Sequence, residues 1–142
     1  MGSRFMSKLK GGPRPPVVSL AQTDGSYWVH NRIGRTAVIL YQRPEMETWR
    51  FMNTYPVMRN SSEAEWMSIL DGVDYAQGKG IGELDLENDN LGICSSILKR
   101  TLPTKGWERE YYYQIMGLVS QMDYFTIRWI PRERNRADKL FR

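Results

Sequence analysis

Apolar and polar positions alternate through the first third of the chain, and the period lengthens after residue 60. "PVVSLAQTD", the strongly β-branched "RTAVILYQ" and "TWRFMNTYPV" read as three strands. "HNRIG" and "RPEME" between them have turn composition, so the three make an antiparallel meander. In "NSSEAEWMSILDGVDYAQGKG", Trp66, Ile69, Leu70, Val73 and Ala76 recur at the spacing of one helical face. Ser61 or Ser62 serves as N-cap of that helix, and "GKG" ends it. "IGELDLEN" is a fourth strand with Leu84 and Leu86 on one side. "NLGICSSILKR" is a short helix, "LPTKGW" a loop and "EREYYYQIMGLVSQM" an amphipathic helix. "YFTIRWIP" is a last strand with Phe125, Ile127 and Trp129 on one face, and "RERNRADKLFR" starts as a loop and turns helical. The order βββ-α-β-α-α-β-α predicts an α/β fold: a mixed five-stranded sheet, an antiparallel meander of three plus two further strands, flanked by helices.

At 142 residues the chain is long enough for one domain, assigned to residues 17–142. Residues 1–16, rich in Gly, Pro and basic side chains, are expected to be a flexible tail, with the part before Met6 read as appended sequence. No apolar run approaches the roughly 20 residues of a membrane span, and no secretory leader is recognised. Membranes are therefore not expected as partners. One cysteine, Cys94, excludes an internal disulfide and a Cys-based zinc cluster; one histidine, His30, excludes a His-rich metal site. A cytoplasmic monomer is the expectation.

The net charge of +4 is carried by Arg4, Lys8, Lys10 and Arg14, so the remainder is formally neutral. Its distribution is uneven. Residues 61–90 hold eight acids against Lys79, and residues 128–142 hold six cations against Glu133 and Asp138. An acidic centre beside a basic terminus suits a cation site next to a phosphate-binding surface, and equally two solvated faces of opposite sign.

Four carboxylates stand at separate places: Asp24 ending the first strand, Glu65 in the first turn of the helix, Asp89 just past the fourth strand, and Asp138 opening the last helix. Singly, each has an ordinary explanation. Asp24-Gly25 is a turn dipeptide, Glu65 complements a helix dipole, and Asp89 and Asp138 are potential N-caps. Together, without His or Cys, they offer hard oxygen ligands suited to Mg²⁺ or Mn²⁺. A pair of such ions roughly 4 Å apart supports displacement at a phosphodiester.

The order of these motifs resembles ribonuclease H of type 1, the endonuclease family acting on RNA–DNA hybrids. The segments that carry the resemblance are "TDGSYWVHNRIGRTAVIL", "NSSEAEWMSILDGV", "LENDNLGI" and "PRERNRADKL", spanning residues 17–142. The resemblance implies a ribonuclease H-like fold and metal ligation by Asp24, Glu65, Asp89 and Asp138, with two Mg²⁺ ions and Mn²⁺ as substitute. Glu63 is the competing helix ligand; Glu65 is preferred because it precedes the aromatic residue of the motif. It also implies hydrolysis of the RNA strand of a hybrid by a two-metal-ion mechanism, leaving 5′-phosphate and 3′-hydroxyl ends. Gly25, Ser26, Ser61, Ser62, Asn90, Trp107 and Asn135 are the implied substrate contacts.

Three departures stand out. Many members carry a mobile His before the last acid; here the loop is "IPRERNR", and Arg132, supported by Asn135, takes its place. Arginine is not a base at neutral pH, so Arg132 would bind phosphate or stabilise charge. The Asn pair ahead of the helix acid reads Ser61-Ser62. The basic insertion of some members is reduced to "LKRTLPTKGWERE", where Trp107 is either a strand grip or a loop anchor. His30 reads as a turn residue, Cys94 as core, and Tyr111 to Tyr113 as core plus rim. Two other readings stay open: a weak or inactive domain of the same fold that binds nucleic acid or partners, and a DNA-acting relative such as a resolvase or integrase core.

Overall fold

The computed structural model describes residues 12–142. The first eleven residues, where most of the expected tail falls, lie outside the described residues. Five strands form one sheet: β1 (Ser19–Trp28), β2 (Ile33–Gln42), β3 (Glu47–Tyr55), β4 (Glu83–Asn88) and β5 (Tyr124–Trp129). Their spatial order is β3-β2-β1-β4-β5. The first three pair antiparallel, while β4 runs parallel to both β1 and β5. The predicted mixed sheet, an antiparallel meander of three plus two further strands, is the one observed.

Three helices cover one face: α1 (Ser61–Gly78), α2 (Leu91–Leu98) and α3 (Gly106–Val119). The predicted α1 stripe is the core, since Trp66, Ile69, Val73 and Ala76 are buried against Ala21, Leu40, Leu84 and Leu86. Ile93, Cys94 and Ile97 of α2 and Tyr112, Ile115 and Val119 of α3 complete it with Phe125 and Ile127. Trp66 is fully buried, and its Nε1 donates to Glu108 at 3.0 Å, so the indole brings no orphan donor inside. Truncating it to Ala costs roughly 3–5 kcal/mol. Tyr111 to Tyr113 divide as expected into half-buried, buried and exposed, and His30 is exposed in its turn.

Three expectations are corrected. Asp24 does not end β1: the strand continues to Trp28 because β2 goes on pairing with it, whereas the parallel partner β4 stops at Thr23↔Asn88. Asp24-Gly25 is therefore a strand dipeptide at the point where the sheet narrows, not a turn. The N-cap of α1 is Asn60, whose side chain accepts from the Glu63 N–H at 2.9 Å, so Ser61 and Ser62 are its first helical residues. A full four-atom amide in extended backbone reaches that N–H without help from either serine. Trp129 keeps the face it shares with Phe125 and Ile127 but, at the end of β5, is 44% exposed, its Nε1 donating to the Asp89 carbonyl at 3.1 Å. Finally, the chain ends in two 3₁₀ turns, Arg132–Arg134 and Arg136–Phe141, rather than an α-helix.

The opposite face of the sheet is only partly covered. Ala137, Leu140 and Phe141 pack there on Ala37, Ile39 and Tyr41. Among the described residues no helix is long and apolar enough to cross a membrane.

Candidate active site

Two neighbouring strands run out at different points, and the site lies at that step. Alternation along β1 points Thr23 and Gly25 toward α1 and Asp24 away from it. A Cβ on Gly25 would sit 2.4 Å from the Ala64 carbonyl carbon, so only glycine lets β1 approach α1 this closely. The Gly25 N–H then reaches Glu65 Oε1 at 2.9 Å. This gives Gly25 a structural reason for being glycine, independent of any ligand.

Asp89 follows the last residue of β4. Asn90, not Asp89, caps α2, accepting from the Ile93 N–H at 3.0 Å, so the aspartate carboxylate is free of capping. Asn88 holds the step together. Its fully buried amide donates to the Thr23 carbonyl and Thr23 Oγ1 at 3.1 and 3.0 Å, and its Oδ1 accepts from the Asn90 N–H at 2.8 Å. Sequence reasoning passed over Asn88; the signal was an amide closing a central strand whose neighbours are apolar or acidic.

One carboxylate oxygen each from Asp24, Glu65 and Asp89 lies within 4.8 Å of the others. Asp138 stands outside this tight set but close enough to act on Asp24. Glu63 does not join them. It is buried, with Arg59 Nη1 on Oε2 at 2.7 Å, the Arg59 N–H on Oε1 at 2.8 Å and the Tyr111 hydroxyl on Oε2 at 2.8 Å. Of the two helix acids, the structure therefore brings Glu65 to the cluster.

A cleft of about 450 Å³ opens over it, lined by Asp24, Gly25, Ser26, Glu65, Asp89, Arg132 and Asp138. Phe141 and Arg142, unremarked in the sequence, complete the wall. Arg132 Nη2 lies 3.8 Å and Arg142 Nη2 2.9 Å from the Asp138 carboxylate. The remaining predicted residues lie elsewhere. Ser61 and Ser62 open α1, and Asn90 caps α2. Trp107 is half-buried in the first turn of α3, under the Arg59 guanidinium at 5.1 Å from its ring. Asn135 is buried and already engaged, donating to the Thr23 carbonyl at 2.9 Å and accepting from the Ala137 N–H at 3.1 Å.

The electrostatics follow from crowding. Burial, then the charges of Glu65 and Asp89, push the Asp24 carboxyl up to about 9. Burial and Asp89 push Glu65 up to about 7, against the lowering effect of the Gly25 N–H and the Asn88 amide. Asp89 is also raised by burial, offset in part by Asn135 and Arg132. Carboxylates this close resist simultaneous ionisation unless a cation joins them. Hard oxygen donors alone, without imidazole or thiolate, fit a divalent ion of the Mg²⁺ or Mn²⁺ kind.

Comparison with known proteins places the chain by family and fold. The model of the reverse transcriptase-like family matches residues 22–141. No curated protein matches the sequence significantly. Among solved structures, the N-terminal RNase H domain of a Mycobacterium tuberculosis protein, fused to maltose binding protein, has a TM-score of 0.77 at 20% identity, covering 87% of this chain and 90% of that one. A type 1 RNase H from the halophilic archaeon Halobacterium salinarum has a TM-score of 0.78 at 18% identity, covering 86% and 92%. A type 1 RNase H named LC11, also described as isolated from compost by a metagenomic approach, was solved with an RNA/DNA hybrid. In that complex its TM-score is 0.75 at 17% identity, covering 86% and 92%. At these identities the likeness is one of fold.

Proposed function

The chain belongs to the reverse transcriptase-like family, and from that premise we propose that it is a metal-dependent endonuclease hydrolysing the RNA strand of RNA–DNA hybrids. The observation that carries the reading is the meeting of Asp24, Glu65 and Asp89 within 4.8 Å, from three separate elements, on the floor of an open cleft. A structural neighbour solved with an RNA/DNA hybrid supports the choice of substrate.

Asp24, Glu65, Asp89 and Asp138 would hold the metal, two Mg²⁺ ions or Mn²⁺ in their place. Bound there, the ions would supply Lewis acidity toward the phosphodiester and help to activate the attacking water. The protein's own groups do the rest. Asn88 and the Gly25 N–H fix the orientation of Glu65 before substrate arrives. Arg132, three-quarters exposed at the cleft mouth, binds a non-bridging phosphate oxygen and offsets charge as the bond breaks. Ser26 on the cleft wall, with Ser61, Ser62 and the side-chain amide of Asn90, meets phosphates and 2′-hydroxyls, which distinguish RNA from DNA. Trp107 packs on the other strand from the start of α3, and Asn135 acts by holding the Arg132 segment against β1. The products carry 5′-phosphate and 3′-hydroxyl ends, and the domain acts as a monomer.

Substrate choice tests this reading. Presented in parallel with a labelled hybrid, a duplex RNA and a four-way DNA junction, the protein with Mg²⁺ cuts only the RNA of the hybrid. Cleavage of the junction instead would replace the hybrid with a DNA substrate.

A further inference from the structure

A second cavity, larger than the acidic cleft, lies outside it. A groove of about 920 Å³ opens on the face of the sheet away from α1, floored by Leu20 and Gln22 of β1 and by Tyr41, Glu87 and Arg128 of the neighbouring strands. Leu20, Gln22 and Asp24 occupy alternate positions of β1, so the groove floor leads along that strand toward the cleft. The C-terminal 3₁₀ segment lies between the two. Asn135 bonds to the Thr23 carbonyl and the Arg136 N–H to Gln22 Oε1. Arg132 and Asp138 line the cleft on one side of the segment, while Arg134, Arg136 and Lys139 line the groove on the other.

The groove carries five cations, Arg43, Arg128, Arg134, Arg136 and Lys139, against Glu87 and Glu133. Glu87 is buried and already taken by Arg128 and by Gln22 Nε2 at 2.9 Å. Among the described residues, none of Arg43, Arg134, Arg136 and Lys139 pairs with a carboxylate. At the end of β5 the lining is completed by Trp129, 44% exposed and tied through its Nε1 to the Asp89 carbonyl. Cations tracking a concave floor with an exposed aromatic side chain at its end are what a single nucleic-acid strand requires.

We propose that this groove holds a single-stranded stretch of nucleic acid, with its phosphates on Arg43, Arg134, Arg136 and Lys139 and a base against Trp129. A flexible strand bends into such a concavity, whereas a duplex with a persistence length of about 150 base pairs does not. The inference extends the proposed function by a second site, reached by a strand that continues past the paired region in the cleft.

The test is fluorescence anisotropy of a labelled single-stranded oligonucleotide in chelator, where cleavage is silent. The wild-type chain is compared with Arg43→Gln/Arg134→Gln/Arg136→Gln. The triple variant is expected to bind at least tenfold more weakly, with a salt slope shallower by about 2, since each phosphate contact to a single strand contributes about 0.7. Its cleavage of a short blunt hybrid and its melting temperature stay at the wild-type values. Trp129→Leu, which keeps the cations, weakens single-strand binding severalfold with an unchanged salt slope. Equal single-strand affinity in the folded triple variant would overturn the proposal. So would an equal loss of affinity for a short blunt hybrid, which would give the cations to the path of the duplex. Failure of the endonuclease reading would look different: no cleavage by either protein, with the difference in single-strand binding intact.

Discussion

Glu63 and Glu65 stand two residues apart in one helix and have unrelated roles. Glu63 is consumed by Arg59, Tyr111 and the first turn of α1, whereas Glu65 faces Asp24 and Asp89. Glu63→Gln should therefore cost about 1–3 kcal/mol of stability, from unpairing a buried charged network, and leave most of the activity. Glu65→Gln should cut activity by about 100-fold or more, since even loss of a residue supporting a metal ligand costs roughly 10–100-fold. Melting curves and initial rates on the two variants separate the roles. The raised carboxyls also give a pH signature. Asp24 moves from 3.8 to about 9 and Glu65 from 4.5 to about 7, so the folded, metal-free protein binds more protons than the unfolded chain across that range. Their contribution to stability is full below about pH 4, falls as pH rises and is gone above about 9. In chelator the melting temperature should decline over that window. Asp24→Asn should flatten the decline, and Mg²⁺ should reverse it most strongly at high pH, where no proton has to be displaced.

At the scale of elements, the hydrophobic period located every strand and all three helices, because burial against one core imposes that period on each. The boundaries were less legible, for a physical reason. A cap is decided by which side chain reaches an orphan N–H, and Asn60, Ser61 and Ser62 all have suitable chemistry. The structure selects Asn60, so Asn60→Ala should lower stability by about 1 kcal/mol while Ser61→Ala and Ser62→Ala stay within about 0.5, as chemical denaturation would show. The extent of β1 was hidden for a similar reason. Asp-Gly is a turn dipeptide wherever the chain is free to turn, but pairing with β2 holds it straight, and the demand for glycine comes from Ala64 on α1, far away in the sequence. The last residues read as helical, yet Asn135 tied to β1 and Ala137 wedged on Ala37 keep the backbone in short 3₁₀ turns.

Across the whole molecule, four acids scattered over more than a hundred residues form a site only because β1, β4, α1 and the C-terminal segment meet at one end of the sheet. Their order along the chain was legible, and it pointed to the right fold. The contributions of Phe141 and Arg142 to the cleft, and the cationic groove beside it, were not. Both depend on the path of a segment whose local sequence says nothing about where it crosses the sheet. One assay decides whether this convergence is a metal-dependent catalytic centre. A labelled RNA–DNA hybrid is incubated with wild-type protein and with Asp89→Asn, in Mg²⁺, in Mn²⁺ and in chelator. RNA-strand cleavage by the wild type is expected with either metal, none in chelator, and a loss of about 100-fold or more in the variant. Equal cleavage by a folded Asp89→Asn protein, or none by the wild type with either metal, would contradict that role.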